Sequence, residues 1–74
     1  MKHRNAKGCA RLGKRLRAHR KSREESLQDV ADAVKSSKSH IWNLESGREP
    51  NPTIGLLMAI AKHFNTSVDA LVRP

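Results

Sequence analysis

Ser26-Leu27-Gln28-Asp29-Val30-Ala31-Asp32-Ala33-Val34-Lys35-Ser36-Ser37-Lys38-Ser39-His40-Ile41-Trp42-Asn43-Leu44-Glu45-Ser46-Gly47 is the stretch that decides the fold. Ser26 is an N-cap residue type, and Asp29 three positions on makes a short version of the capping box. Leu27, Val30, Ala31 and Val34 follow the i, i+3, i+4, i+7 rule, which predicts a short helix over 27–34 with one buried face. Lys35-Ser36 leaves room only for a turn. Ser37 caps another helix over 37–46, which Gly47 ends in a left-handed conformation.

Outward from this pair, residues 1–8 have almost no apolar content and read as a disordered basic arm. A first helix over 9–23 places Cys9, Leu12, Leu16, His19 and Arg20 on one face. Arg48-Glu49-Pro50-Asn51-Pro52 reads as a loop, because two prolines remove donors and restrict the residues before them. Thr53, or Asn51 with Pro52 at the first helical position, caps a fourth helix over 53–64 with Ile54, Leu57, Met58, Ala61 and Phe64 facing inward. Asn65-Thr66 ends it, and Ser67 with Asp69 and Ala70 opens a fifth helix over 67–72 carrying Val68, Leu71 and Val72. No segment alternates with period two. The expectation is an all-α, five-helix domain over 9–74 behind the arm.

Composition narrows the function. A chain of 74 residues leaves no room for a large catalytic cleft. Cys9 is the only cysteine, so no internal disulfide forms. No run is long and apolar enough to span a bilayer, and the basic start has no apolar signal region after it. A soluble, cytoplasmic protein without a membrane partner is expected. His3, Cys9, His19, His40 and His63 are the soft ligand types, and no pair has zinc-site spacing; neither a metal nor a cofactor is expected. Ser37 and His40 lie one helix turn apart and need not form a catalytic pair, so no enzyme is expected. The formal charge is +8, with ten Lys or Arg against two Glu in residues 1–25 and five of each sign after them. That asymmetry suits either a polyanion partner or a solvated tail.

Rotation by about 100° per residue turns Ile41 and Leu44 of the third helix inward, with Ser37 and Glu45 beside them. Ser39, Asn43 and Ser46 then point outward, with Lys38 and Trp42 on one flank and His40 on the other. An outer face of Lys, Ser, Asn and His carries donors and acceptors and no acid, as base edges and phosphates require. Two short helices joined by a tight turn are what places the second in a major groove about 12 Å wide.

The runs Ser26-Leu27-Gln28-Asp29-Val30-Ala31 and Ser37-Lys38-Ser39-His40-Ile41-Trp42-Asn43-Leu44-Glu45-Ser46-Gly47-Arg48, with the Asn-Pro-Thr and Asn-Thr-Ser-Val-Asp-Ala-Leu segments after them, resemble the phage repressor and Cro-type helix-turn-helix regulators over roughly residues 9–72. The resemblance implies a five-helix repressor-type domain that acts as a dimer on a palindromic operator. Glu24-Glu25 and Lys35-Ser36 depart from the family's Gly-Leu and Gly-Val, so the turn must accept a non-glycine residue, at positive φ and a modest cost. Arg20 faces inward one turn after Leu16 and needs a carboxylate. Glu45 is the acid on the inward side of the third helix, which predicts an Arg20–Glu45 bridge like the one common in that family.

Lys38, Ser39, Asn43 and Trp42 are the candidates for reading bases. Ser26, Leu27, Ser37, His40, Ser46 and Arg48 are those for phosphates, through side chains or helix-start amides. Blander roles stand beside these: Ser37 as a cap, Trp42 as cover for the core edge, His40 as a surface polar group. The expected partners are double-stranded DNA and a second copy of the chain, through Leu56, Ile60, Leu71 or Val72. An antitoxin or restriction-modification controller of the same fold, with a toxin or other protein partner, is an alternative. So are a protein-interaction module that does not bind DNA and a membrane-active basic peptide.

Overall fold

The computed structural model describes the backbone of residues 4–48 and 52–73, and the side chains from Arg11 onward within those ranges. His3, the Cys9 thiol and the alternative cap Asn51 lie outside the described residues. Five helices follow one another: α1 (Arg4–Ser22), α2 (Leu27–Ala33), α3 (Lys38–Glu45), α4 (Ile54–His63) and α5 (Val68–Val72). Among the described residues there is no strand.

Four helix starts use the same chemistry. A hydroxyl oxygen accepts a hydrogen bond from the amide three residues on: Ser26 from Asp29 at 3.0 Å, Ser37 from His40 at 3.0 Å, Thr53 from Leu56 at 3.1 Å and Ser67 from Ala70 at 3.0 Å. Each satisfies one of the amides that the first turn leaves without a partner. The Asp29 carboxylate accepts in return from the Ser26 amide at 2.8 Å, completing the capping box.

Four helix ends are alike as well. Glu24, Lys35, Gly47 and Asn65 have φ of 56°, 57°, 75° and 58°. In each case the following amide donates to the carbonyl five residues back: Glu25 to Arg20, Ser36 to Ala31, Arg48 to Asn43 and Thr66 to Ala61, at 2.8–3.0 Å. This is the Schellman closure, which turns the chain within two residues. Lys35 thus takes the positive φ that the turn requires.

Two features correct the reading of the sequence. α1 begins at Arg4, so residues 4–8 of the expected arm are helical; Arg, Ala and Lys there are good helix formers, and charge alone does not unfold them. In α4 the buried side chains are Leu57, Ile60 and Ala61, followed by Phe64 at its C-cap, whereas Ile54 and Met58 are 64% and 59% exposed. Ile60 and Leu71 are wholly buried and therefore cannot form a dimer patch. The core gathers Leu12 and Leu16 of α1, Val30, Ala31 and Val34 from α2 and its cap, Ile41 and Leu44 of α3, the α4 set, and Leu71 of α5.

Three arginines of α1 and its C-terminal turn hold the other helices. Arg15 Nη1 donates to the Leu71 carbonyl at 3.1 Å and to the Arg73 carbonyl, closing the end of α5. Arg23 Nη1 donates to the His63 carbonyl at 2.7 Å, and its guanidinium lies 5.3 Å from the Phe64 ring centre. Arg20 reaches α3, the helix whose outer face matters.

Candidate nucleic-acid interface

Ile41 and Leu44 fix the inner side of α3, at 0% and 1% exposure. Its end is fixed by Glu45, whose carboxylate is paired in two-point fashion with Arg20: Nε to Oε2 at 2.6 Å and Nη2 to Oε1 at 2.9 Å. Arg20 also donates from Nη1 to the Glu25 carbonyl at 2.9 Å. The side chains are 13% and 7% exposed, and the bond to Glu45 raises the guanidinium above its ordinary pKa. One guanidinium thereby ties both α3, through Nε and Nη2, and the turn before α2, through Nη1, to α1.

A close backbone approach completes the anchor. A Cβ at Gly13 would lie 2.5 Å from the Glu45 carbonyl oxygen and 2.6 Å from that of Leu44. Only a residue without a side chain allows α1 to pass so near the end of α3.

With one side held, the other is open. Lys38, Ser39 and Ser46 are exposed, Asn43 is half-buried, and Trp42 is 45% exposed. None of the outward residues of α3 is acidic, since Glu45 is turned inward to Arg20. The Trp42 ring carries the Arg48 guanidinium 4.8 Å from its centre. Ser46 Oγ donates back to the Trp42 carbonyl at 2.8 Å. Ser26 and Ser37 are exposed caps at the starts of α2 and α3, and Leu27 is half-buried at the first position of α2. His40 is half-buried, with Nδ1 3.1 Å from Ser36 Oγ, and borders a groove shared with Val34, Thr53 and Leu56. It therefore stands toward α4, apart from the Lys38, Trp42 and Asn43 group.

Two shallow hollows border the outer face on its α2 side. One is lined by Leu27, Lys38, Ser39, Trp42 and Asn43, the other by Arg17, Arg20, Leu27, Trp42, Glu45 and Ser46. Arg17 is exposed beside the C-terminal half of α3. Sequence reading missed it because it looks like any other charge on α1; its offset of three from Arg20, one turn along the same helix, is the only signal that could have found it. Arg11, Lys14 and Lys21 are exposed on α1 as well. Among the described residues no cluster of His, Cys, Asp or Glu has the form of a metal site, and no helix is long and apolar enough to cross a membrane.

Comparison with known proteins identifies the fold. Residues 11–73 match the model of the helix-turn-helix domain family. The HTH-type transcriptional regulators SinR of Bacillus subtilis and of Bacillus licheniformis are each 28% identical over 61 residues, which is 82% of this chain and 55% of theirs. The chain thus spans just over half the length of these relatives. A solved SinR protein/SinI protein complex contains a chain that superposes with a TM-score of 0.78 at 27% identity, covering 84% of this chain and 60% of that one.

Proposed function

Because the chain belongs to the helix-turn-helix domain family, we propose that it is a sequence-specific double-stranded DNA-binding regulator of transcription, acting as a repressor on a palindromic operator. The observation that carries this reading is the two-sided character of α3. Its inner side is locked by Ile41, Leu44 and the Arg20–Glu45 pair, while on its other side Lys38, Ser39 and Trp42 are exposed and Asn43 is half-buried, the set assigned to base reading in this proposal. Lys38 suits guanine O6 and N7, Asn43 suits adenine N6 and N7, and Ser39 suits either kind of acceptor. Ser26, Ser37, Ser46, His40 and Arg48, the amide of Leu27 and, in addition, Arg17 serve phosphates on either side.

One such domain covers only a few base pairs, so a homodimer on half-sites about 34 Å apart, or a multiple of that, is part of the proposal. Among the described residues Ile54, Met58 and Val72 are exposed apolar side chains outside the α3 face and stand open to a second copy, in place of Ile60 and Leu71. SinR is found in complex with a protein partner; a protein partner for this chain is a reading of the same rank. The bacterial cytoplasm, at the nucleoid, is where such a regulator acts.

Fluorescence anisotropy with labelled duplexes tests the DNA reading. Binding that weakens log-linearly with added salt, and more tightly to one palindrome than to its scrambled version, is the expected result. Salt-independent binding, or none to any duplex, overturns it.

A further inference from the structure

We propose that the hollow between the start of α2 and the outer face of α3 seats the 5-methyl group of a thymine, one per half-site. The inference rests on the DNA reading above and specifies which base that surface takes. Leu27 and Trp42 form the apolar part of the hollow, and Lys38, Ser39 and Asn43 form its polar part. Leu27 packs against the core edge from α2, while Trp42 stands on α3 under the Arg48 guanidinium. The two apolar walls therefore come from different helices, held in register by the buried face they share.

In the major groove thymine alone presents an apolar methyl, with the O4 acceptor next to it. The hollow is its complement: Leu27 and Trp42 offer apolar surface to the methyl, and the Ser39 hydroxyl beside them can donate to O4. Cytosine would bring a bare C5–H to that apolar surface and set its N4 donor near the Lys38 ammonium, a mismatch in both respects. No acidic side chain lines the hollow, so nothing there repels the flanking phosphates.

The test uses the full chain and duplexes selected from a random pool, with each thymine replaced in turn by uracil, which removes the methyl and nothing else. The expected result is one thymine per half-site at which uracil weakens binding about three- to five-fold, the factor for burying one methyl group. Trp42→Ala and Leu27→Ala should each reduce that difference, and the double variant should abolish it. Trp42 is exposed, so its variant keeps the test valid if Leu27→Ala disturbs the fold. Uracil tolerated at every thymine, or full discrimination retained by Trp42→Ala, overturns the proposal while leaving DNA binding intact. A pool from which no duplex is recovered overturns the DNA reading and the thymine seat together.

Discussion

Gly13 lies so close to Glu45 that a single methyl group between them would sit 2.5 Å from the Glu45 carbonyl oxygen. The contact is with backbone, which cannot rotate away, and it is made at the residue that also binds Arg20. Gly13→Ala therefore sets a gain in helix propensity of about 1 kcal/mol against overpacking of about 1–3 kcal/mol. The expected result is net destabilisation in urea unfolding. Gly55→Ala is the matched control: nothing lies within 4 Å of its added Cβ, so it should leave stability unchanged or raise it by up to about 1 kcal/mol.

Removing one partner of the Arg20–Glu45 pair leaves a charge nearly out of water. Arg20→Ala or Glu45→Ala should lose about 3–5 kcal/mol, much of the stability of a small domain. The double change Arg20→Met with Glu45→Leu should recover most of that loss, since an apolar pair of similar volume needs no partner. Unfolding midpoints of the three variants measure both statements.

Lys35 and Glu24 hold the left-handed conformation with full side chains. Glycine removes the clash of Cβ with the backbone but frees the unfolded chain, so Lys35→Gly and Glu24→Gly should each stabilise by about 0.5–1 kcal/mol. The β-branched Lys35→Val should lower the thermal midpoint.

Asp29 is held below the ordinary carboxylate pKa, first by the Ser26 amide and then by the Ser26 hydroxyl. The unfolded chain binds the proton more readily, so this contribution is complete above the unfolded pKa of about 3.9 and is lost as pH falls through the folded value. Asp29→Asn should flatten that part of the acid limb when unfolding is followed from neutral pH downward.

Arg17 is proposed to meet a phosphate, not a base. Arg17→Ala should weaken binding to every duplex by a similar factor and reduce the log–log salt slope by about one, whereas a base-reading residue would alter the preferred sequence.

What could be read in the chain was local or one-sided. The caps Ser26, Ser37, Thr53 and Ser67 bond within three residues of themselves, so residue type and spacing reveal them. Arg20 and Glu45 were legible because each faced inward with a charge that needed a partner. The burial of α4 was not, because Ile54, Leu56, Leu57, Met58 and Ile60 nearly ring the helix and periodicity cannot choose a side. Arg15 and Arg23 close helices 56 and 40 residues away, and no pattern in α1 announces that. Gly13 was not legible either: Gly55 also lies inside a helix with nothing within 4 Å of its added Cβ, so a helical glycine alone does not announce a close approach.

Whether α3 reads sequence with its outer side is tested most directly by selecting bound duplexes from a random pool with the parent chain, Lys38→Ala and Asn43→Ala in parallel. The selected base should relax at one position per half-site for each variant, and at a different position for each. Identical selected sequences from all three proteins would contradict the account.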